Sequence, residues 1–272
     1  MPVPAPDPDN PSWSLLQAAL TWLASVVLLL LPQLLAIPYL VSHYQGVRPT
    51  PEVLLADKTF IIIVLSGIVP AHLITLFLVW AVVTRWGRVS PTKVLGLSWR
   101  PGFELAESFG SVGLAILLLA MAWLIAALLG GQETELERIL ASSRAAAMII
   151  AFVAVATAPL VEEVVYRGVL FPALQRRMGA IPAVLIVTLM FAAPHVPQYW
   201  PNVAAISSIA LLSVVLTGIR AYTGRLLPCF MIHLIFNGVQ SLIIIFEPFL
   251  RAFFVRPQAP TGTLIHFLRC LG

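Results

Sequence analysis

Glu162, Glu163 and Arg167 interrupt an apolar segment that begins near Ala145, in the stretch PLVEEVVYRGVLF, residues 159–171. A charge at the centre of a membrane helix costs about 2.5–3.5 kcal/mol to insert. Three unpaired charges would cost on the order of 7–10 kcal/mol, and Val161, Val164, Val165, Val169 and Leu170 return only about 0.3–0.6 kcal/mol each. The charges must therefore face a polar interior and find partners. On a helix, Glu163 and Arg167 stand at i and i+4, in the favourable order for an ion pair. Glu162 lies about 100° away and shares its face with Tyr166. It is left as the carboxylate without a local cation, the kind of group that serves as a general base. A structural ion network between helices is the other reading of the same three residues. Pro159 removes a backbone hydrogen bond one turn upstream and should bend the helix beside Glu162.

Two histidines on later apolar segments could join Glu162. His195 closes FAAPH, with Phe191 four residues earlier and on the same face, so the phenyl ring can back the imidazole. Pro194, Pro197 and Pro201 say that the helix ends or distorts there. His233 opens HLIFN, and Asn237 at i+4 points the same way. Taken singly, each His is more often a hydrogen-bonded packing residue than a catalyst, and the His233–Asn237 pair is as readily glue between helices. At about 1.5 Å per residue, Glu162 lies roughly 21 Å from Arg176 and His195 roughly 21 Å from Ile181. Asn237 lies roughly 18 Å from Arg225, and His233 roughly 12 Å. With ordinary helix tilts the four groups can meet within the cytoplasmic half of a bilayer or near its midplane.

The elements that would hold these groups are membrane helices. Of 272 residues, 60% are hydrophobic and 10% charged, against about 25% charged in an ordinary soluble domain. Apolar runs cover roughly 13–41, 59–84, 104–130, 145–174, 181–200, 203–222 and 227–250, most of them long enough to cross a bilayer. The expected architecture is an all-α polytopic bundle of seven to eight spans around a polar intramembrane cavity, with the first span kinked or broken at Pro32 and Pro38. Residues 1–12 read as a disordered tail. Residues 251–272 read as a second tail that forms at most a partial or interfacial helix. The net charge of +4 belongs to loops, not to nucleic-acid binding. Arg85, Arg88, Lys93 and Arg100, then Arg176 and Arg177, then Arg220 and Arg225 mark alternate loops, which places the N-terminus and the loops near 90, 177 and 224 in the cytoplasm. Cys229, inside an apolar run, and Cys270, near the C-terminus, do not suggest a disulfide scaffold.

EEVVYR, FAAPH and HLIFN together resemble the three motifs of the CPBP intramembrane protease family, EExxxR, FxxxH and HxxxN, in the same order and on separate apolar segments. That family includes the type II CAAX prenyl endopeptidases and bacteriocin-processing or immunity proteins. The resemblance covers about residues 145–240. It implies peptide-bond hydrolysis in a cavity open to the membrane and to one aqueous side. The substrate would be a membrane-associated peptide or protein, prenylated or not. It implies Glu162 as the base that activates water, assisted by His195. His233 and Asn237 would hold the water or the oxyanion. Glu163 and Arg167 would be supporting residues, beside Tyr166 and Phe191. It leaves zinc open, with Glu162, His195 and His233 as the candidate ligands. The spacing is not HExxH, however, and Glu, His and Asn can activate water without metal. A catalytically silent immunity or scaffold protein of the same fold, and a proton-coupled transporter, are the competing readings. No internal repeat of the kind common in transporters is evident.

Overall fold

A computed structural model describes residues 8–254, with side chains as far as residue 246 and Ser142 excepted. Among the described residues the regular structure is entirely helical. The helices that matter for the site are α1 (Leu15–Leu28), α2 (Leu31–Tyr44), α3 (Lys58–Thr84), α4 (Glu104–Leu129), α5 (Glu135–Ser142), α6 (Arg144–Met178), α7 (Ala180–Ala192), α8 (His195–Tyr199), α9 (Val203–Thr223) and α10 (Leu227–Phe254). Six stretches are long and apolar enough to cross a membrane: Leu15–Tyr44, Lys58–Thr84, Glu104–Leu129, Arg144–Met178, Val203–Thr223 and Leu227–Phe246. The chain is therefore a polytopic helical bundle. The sites expected for an eighth partial span and for the C-terminal tail beyond residue 254 lie outside the described residues.

The sequence punctuates these helices with side-chain caps. Ser14 and Gln17 form a reciprocal capping box at α1, and Thr134 and Glu137 form another at α5. Asp57 accepts the N–H groups of Thr59 and Phe60 at the start of α3. The first span is broken at Leu29 and Leu30, between α1 and α2, with Pro32 in the first turn of the second piece. This suits a residue with no N–H to donate.

The fifth expected span, 181–200, is not one helix. α7 has 13 residues, about 20 Å of rise, which is short of the roughly 30 Å hydrocarbon core. Pro194 stops it, because a proline at that position cannot donate to the carbonyl of Met190 four residues back. The Tyr166 hydroxyl donates to Met190 O instead, at 3.3 Å. The chain resumes as α8, five residues long.

One end of the bundle gathers the basic stretches. Arg225 Nη1 donates to Ser98 O at 3.1 Å and to Trp99 O at 2.8 Å. Gly96, at φ 66°, accepts from the N–H groups of Leu226 and Leu227. A Cβ at Gly96 would lie 2.9 Å from Gly224 O and 3.0 Å from Arg225 Cα, so both conformation and space require glycine. The segment expected to be a disordered tail is docked here over its described part. Arg220, 1% exposed, pairs with Asp9 Oδ1 at 3.1 Å and also donates to Pro8 O. Arg176 donates to Pro11 O at 2.9 Å and to Trp13 O at 3.1 Å. Trp13 is buried and its Nε1 donates to Val169 O at 2.9 Å. A buried guanidinium needs partners, and the N-terminal segment supplies them. At the opposite end Asn202 caps α9 and donates to Gln132 O at 3.2 Å.

Two apolar clusters make the interior. One joins α1, α3, the second half of α6 and α7, around Val83, Val165, Val169, Phe171 and Phe191. The other joins α4, α9 and α10, around Leu118, Leu216, Ile232 and Phe236. The polar residues singled out from the sequence fall where the two clusters meet.

Candidate active site

α6 is not a uniform α-helix. Val153–Thr157 and Glu163–Leu170 are π-helical, and a short α-helical turn, Ala158–Glu162, lies between them. Such widened turns recur at functional sites, and here Pro159 has a direct part in it. In the first widened turn the Ala158 N–H donates to Val153 O, five residues back. The next donor in that register would be the N–H that Pro159 lacks, which leaves the Ala154 carbonyl without its helical partner. Asn237 Nδ2, on α10, donates to Ala154 O at 3.0 Å. The bend expected beside Glu162 is therefore held open by a side chain from another helix. The contact also fixes which end of the Asn237 amide points at α6, because only the NH2 group can face a carbonyl.

The ion pair expected from i,i+4 spacing is formed. Arg167 Nη1 lies 3.0 Å from Glu163 Oε1, and both side chains are fully buried. The remaining donors of the guanidinium reach Thr217 Oγ1 at 3.1 Å, Ser213 Oγ at 2.8 Å and Ser213 O at 3.2 Å. Glu163 Oε1 also accepts from His233 Nδ1 at 2.8 Å. Both donors thus converge on one carboxylate oxygen, and Oε2 of the same group is buried without a partner. His233 was read from the sequence as facing the cavity beside Asn237; its tie to Glu163 across two helices was not foreseen.

Glu162 is the carboxylate left over. Its Oε2 lies 3.7 Å from His233 Nε2, beyond hydrogen-bond reach, and its side chain keeps 23% of its surface open. His195 Nδ1 bonds to Phe191 O at 2.8 Å. A carbonyl only accepts, so Nδ1 carries the proton and the neutral ring keeps its lone pair on Nε2. The same logic applies to His233, whose Nδ1 faces a carboxylate. Phe191 braces the group from below: its ring stacks on His195 at 5.1 Å, meets Tyr166 edge-on at 5.1 Å and His233 edge-on at 6.1 Å, and carries the Arg167 guanidinium 4.4 Å from its centroid. The backing of the imidazole by Phe191 is as the spacing predicted.

Glu162, His195, His233 and Asn237 all line one cavity of about 470 Å³ between α3, α4, α6, α9 and α10. A smaller cavity of about 160 Å³ lies toward α1 and includes Ser25, Tyr166 and Pro194 in its wall. Glu162, His72, His195 and Gln198 line both. The four residues expected to converge thus line one chamber. His72 was passed over in the sequence as one polar residue in an apolar helix. The signal was present, since an ionisable residue inside a span is rare and generally has a partner.

Zinc is left open by the sequence. A zinc site closes three or four ligand atoms to about 2.0–2.3 Å from one point. Among the described residues no three His, Cys, Asp or Glu side chains gather in that way. The Nδ1 of His233 is tied to Glu163 and that of His195 to Phe191 O, which leaves Nε2 of each ring free, the arrangement a ligating imidazole also uses, so Glu162, His195 and His233 stay the zinc candidates that the resemblance implies. A chemistry built on these residues can still take a proton from water, since a carboxylate and two imidazole lone pairs face one enclosure.

The comparisons with known proteins agree with the placement of the motifs. No curated protein and no solved structure matches the chain. Residues 144–239, which carry Glu162, Glu163, Arg167, His195, His233 and Asn237, match the family model described as type II CAAX prenyl endopeptidase Rce1-like.

Proposed function

We propose that the protein is an intramembrane endopeptidase that hydrolyses peptide bonds of membrane-associated or lipid-modified peptides. One observation carries the reading: of two adjacent acids, Glu163 is buried and holds Arg167 and His233 through Oε1, while Glu162 stands beyond hydrogen-bond reach of His233 and opens into the chamber. The family match over residues 144–239 supports it.

Water held between Glu162 and the Nε2 atoms of His195 and His233 is the nucleophile. Glu162 takes one of its protons as the oxygen adds to the carbonyl carbon of the peptide bond. The carbonyl oxygen becomes an oxyanion. Asn237 has a second amide hydrogen beyond the one given to Ala154 O, and that hydrogen is available to the oxyanion. The C–N bond then breaks, and the proton held by Glu162 passes to the leaving nitrogen. One water is consumed and the carboxylate is regenerated. Glu163 and Arg167 keep His233 in the required tautomer, and Phe191 and Tyr166 keep the rings and the end of α7 in place.

Purified protein in detergent, given a panel of synthetic membrane peptides in water enriched in oxygen-18, tests the proposal. Mass spectrometry should find two fragments, with the heavy oxygen in the new carboxyl group. Intact peptides throughout, prenylated members included, would overturn the hydrolase reading.

The bundle end that carries Arg85, Arg88, Arg176, Arg177 and Arg225 faces the cytoplasm in this proposal, together with the N-terminal segment, in a membrane of the bacterial cytoplasmic type. Cysteines placed at Thr92 and Thr223 should be shielded from an impermeant thiol reagent added outside intact cells and should label after permeabilisation. Labelling of both from outside would invert the topology.

A further inference from the structure

We propose that His72 is a substrate-binding residue: its Nε2 accepts a hydrogen bond from a backbone N–H of an extended peptide that passes from the smaller cavity to the larger one beside Glu162. The inference rests on the endopeptidase reading and adds to it a residue outside the matched 144–239 region.

The geometry begins with the tautomer. His72 Nδ1 lies 2.8 Å from Thr157 Oγ1. The Thr157 hydroxyl has one hydrogen, and that hydrogen is directed to Val153 O at 3.3 Å. With the hydroxyl hydrogen assigned to Val153 O, Thr157 accepts and His72 Nδ1 donates, and this assigned tautomer leaves the lone pair of the neutral ring on Nε2. The residue that orients His72 belongs to the π-helical turn Val153–Thr157, so the same distortion that involves Asn237 also aims His72. His72 is 8% exposed, and what remains open belongs to a ring that lines both cavities.

Counting donors and acceptors then identifies the occupant. His195 and His233 also carry their protons on Nδ1, bonded away from the chamber. Of the residues that line both cavities, His72, His195 and Glu162 thus present acceptors and only the Gln198 amide is a ready donor; in the larger cavity His233 adds an acceptor and Asn237 a donor that is used by the oxyanion. An enclosure rich in acceptors is satisfied by a ligand that brings donors. One attacking water, with two hydrogens, satisfies Glu162 and one of the two motif histidines. His72, on α3, remains for a donor of the substrate. The walls on either side are apolar, with Val26, Leu29 and Val161 in one cavity and Ile68, Ile150 and Phe236 in the other. A chain that runs through both, with side chains in these walls, brings a row of peptide N–H groups past His72.

The test uses the full chain in detergent, with Glu162→Gln as the background so that peptide is not consumed. The probe is the tightest binder from a panel of fluorescein-labelled apolar 12-residue peptides, and a set of the same peptide with one N-methylated amide at each position. Binding is read by anisotropy. An asparagine amide can replace Nδ1–H toward Thr157 but cannot reach the Nε2 position, whereas a glutamine can. His72→Asn should weaken binding about 5- to 30-fold, the range expected for one lost hydrogen bond with a group left unpaired. His72→Gln should recover most of that loss. One N-methyl position should cost the parent about tenfold and cost His72→Asn nothing. If His72→Asn lowers the melting temperature, His72→Phe, which keeps the ring volume, replaces it in the same scan. Parent-like binding by His72→Asn with a defect only in His72→Gln would make His72 a prop for Thr157 and overturn the proposal. Equal N-methyl penalties in parent and variant, or no peptide bound at all, would also overturn it. Cleavage is measured separately with Glu162 intact. His72-dependent binding without hydrolysis would sink the endopeptidase reading and leave this inference standing.

Discussion

Glu162→Gln lowers turnover on a cleaved peptide by about 10²–10⁴, the usual worth of a general base, while the melting temperature stays close to that of the wild type. The amide has the shape of the carboxylate and cannot take a proton from water. Little stability is at stake because the Glu162 Oε2 stands 3.7 Å from His233 Nε2, beyond hydrogen-bond reach, and its side chain is 23% exposed. KM should move less than kcat, because the carboxylate acts on water and not on peptide binding. The measurement is steady-state kinetics on one peptide, with a melting curve of the same preparation. Near-normal turnover by Glu162→Gln would remove Glu162 from the chemistry.

Glu163→Gln produces the opposite profile. Oε1 accepts from both Arg167 and His233, and Oε2 has no partner. A glutamine that keeps its oxygen at the Oε1 position keeps both hydrogen bonds and removes only the charge. Arg167 is then a fully buried guanidinium with no counter-ion, and breaking a buried pair in this way costs about 3–5 kcal/mol. Yield and melting temperature should fall sharply, and the fraction that folds should retain more turnover than Glu162→Gln. Arg167→Gln should resemble it, since Ser213 and Thr217 lose their donor as well. The double variant should be less damaging than the two single losses added, because neither charge is then left alone. A stable but inactive Glu163→Gln beside an active Glu162→Gln would mean that the two carboxylates have exchanged roles.

Local periodicity was enough for much of the site. The i,i+4 rule found the Glu163–Arg167 pair and the seat of His195 on Phe191, because both are contacts within one helical stretch. Length and apolarity found the bundle. What periodicity could not reach was decided between helices. The first π-helical turn of α6 is contacted by Asn237 and His72, which are 83 and 85 residues away from their partners in sequence. The shortening of α7 was only half visible: Pro194 announced an end, but the Tyr166 hydroxyl that serves the freed Met190 carbonyl comes from α6. The docking of residues 8–13 was illegible, since a proline-rich stretch carries no periodic signal and its partners, Arg176 and Arg220, lie on distant helices.

That docked segment sets an order of assembly. Residues 8–13 are made before every element they touch. Asp9 is 211 residues from Arg220, and Trp13 is 156 residues from Val169. During synthesis Trp13 can reach Val169, and Pro11 can reach Arg176, as soon as the helix that carries Glu162 is made. Asp9 gains its partner only when Arg220 has emerged, one long apolar stretch later. The helix that carries the candidate base is therefore fastened in two steps, first by the indole and then by the buried guanidinium, so a chain that stops before Arg220 holds it by the first alone.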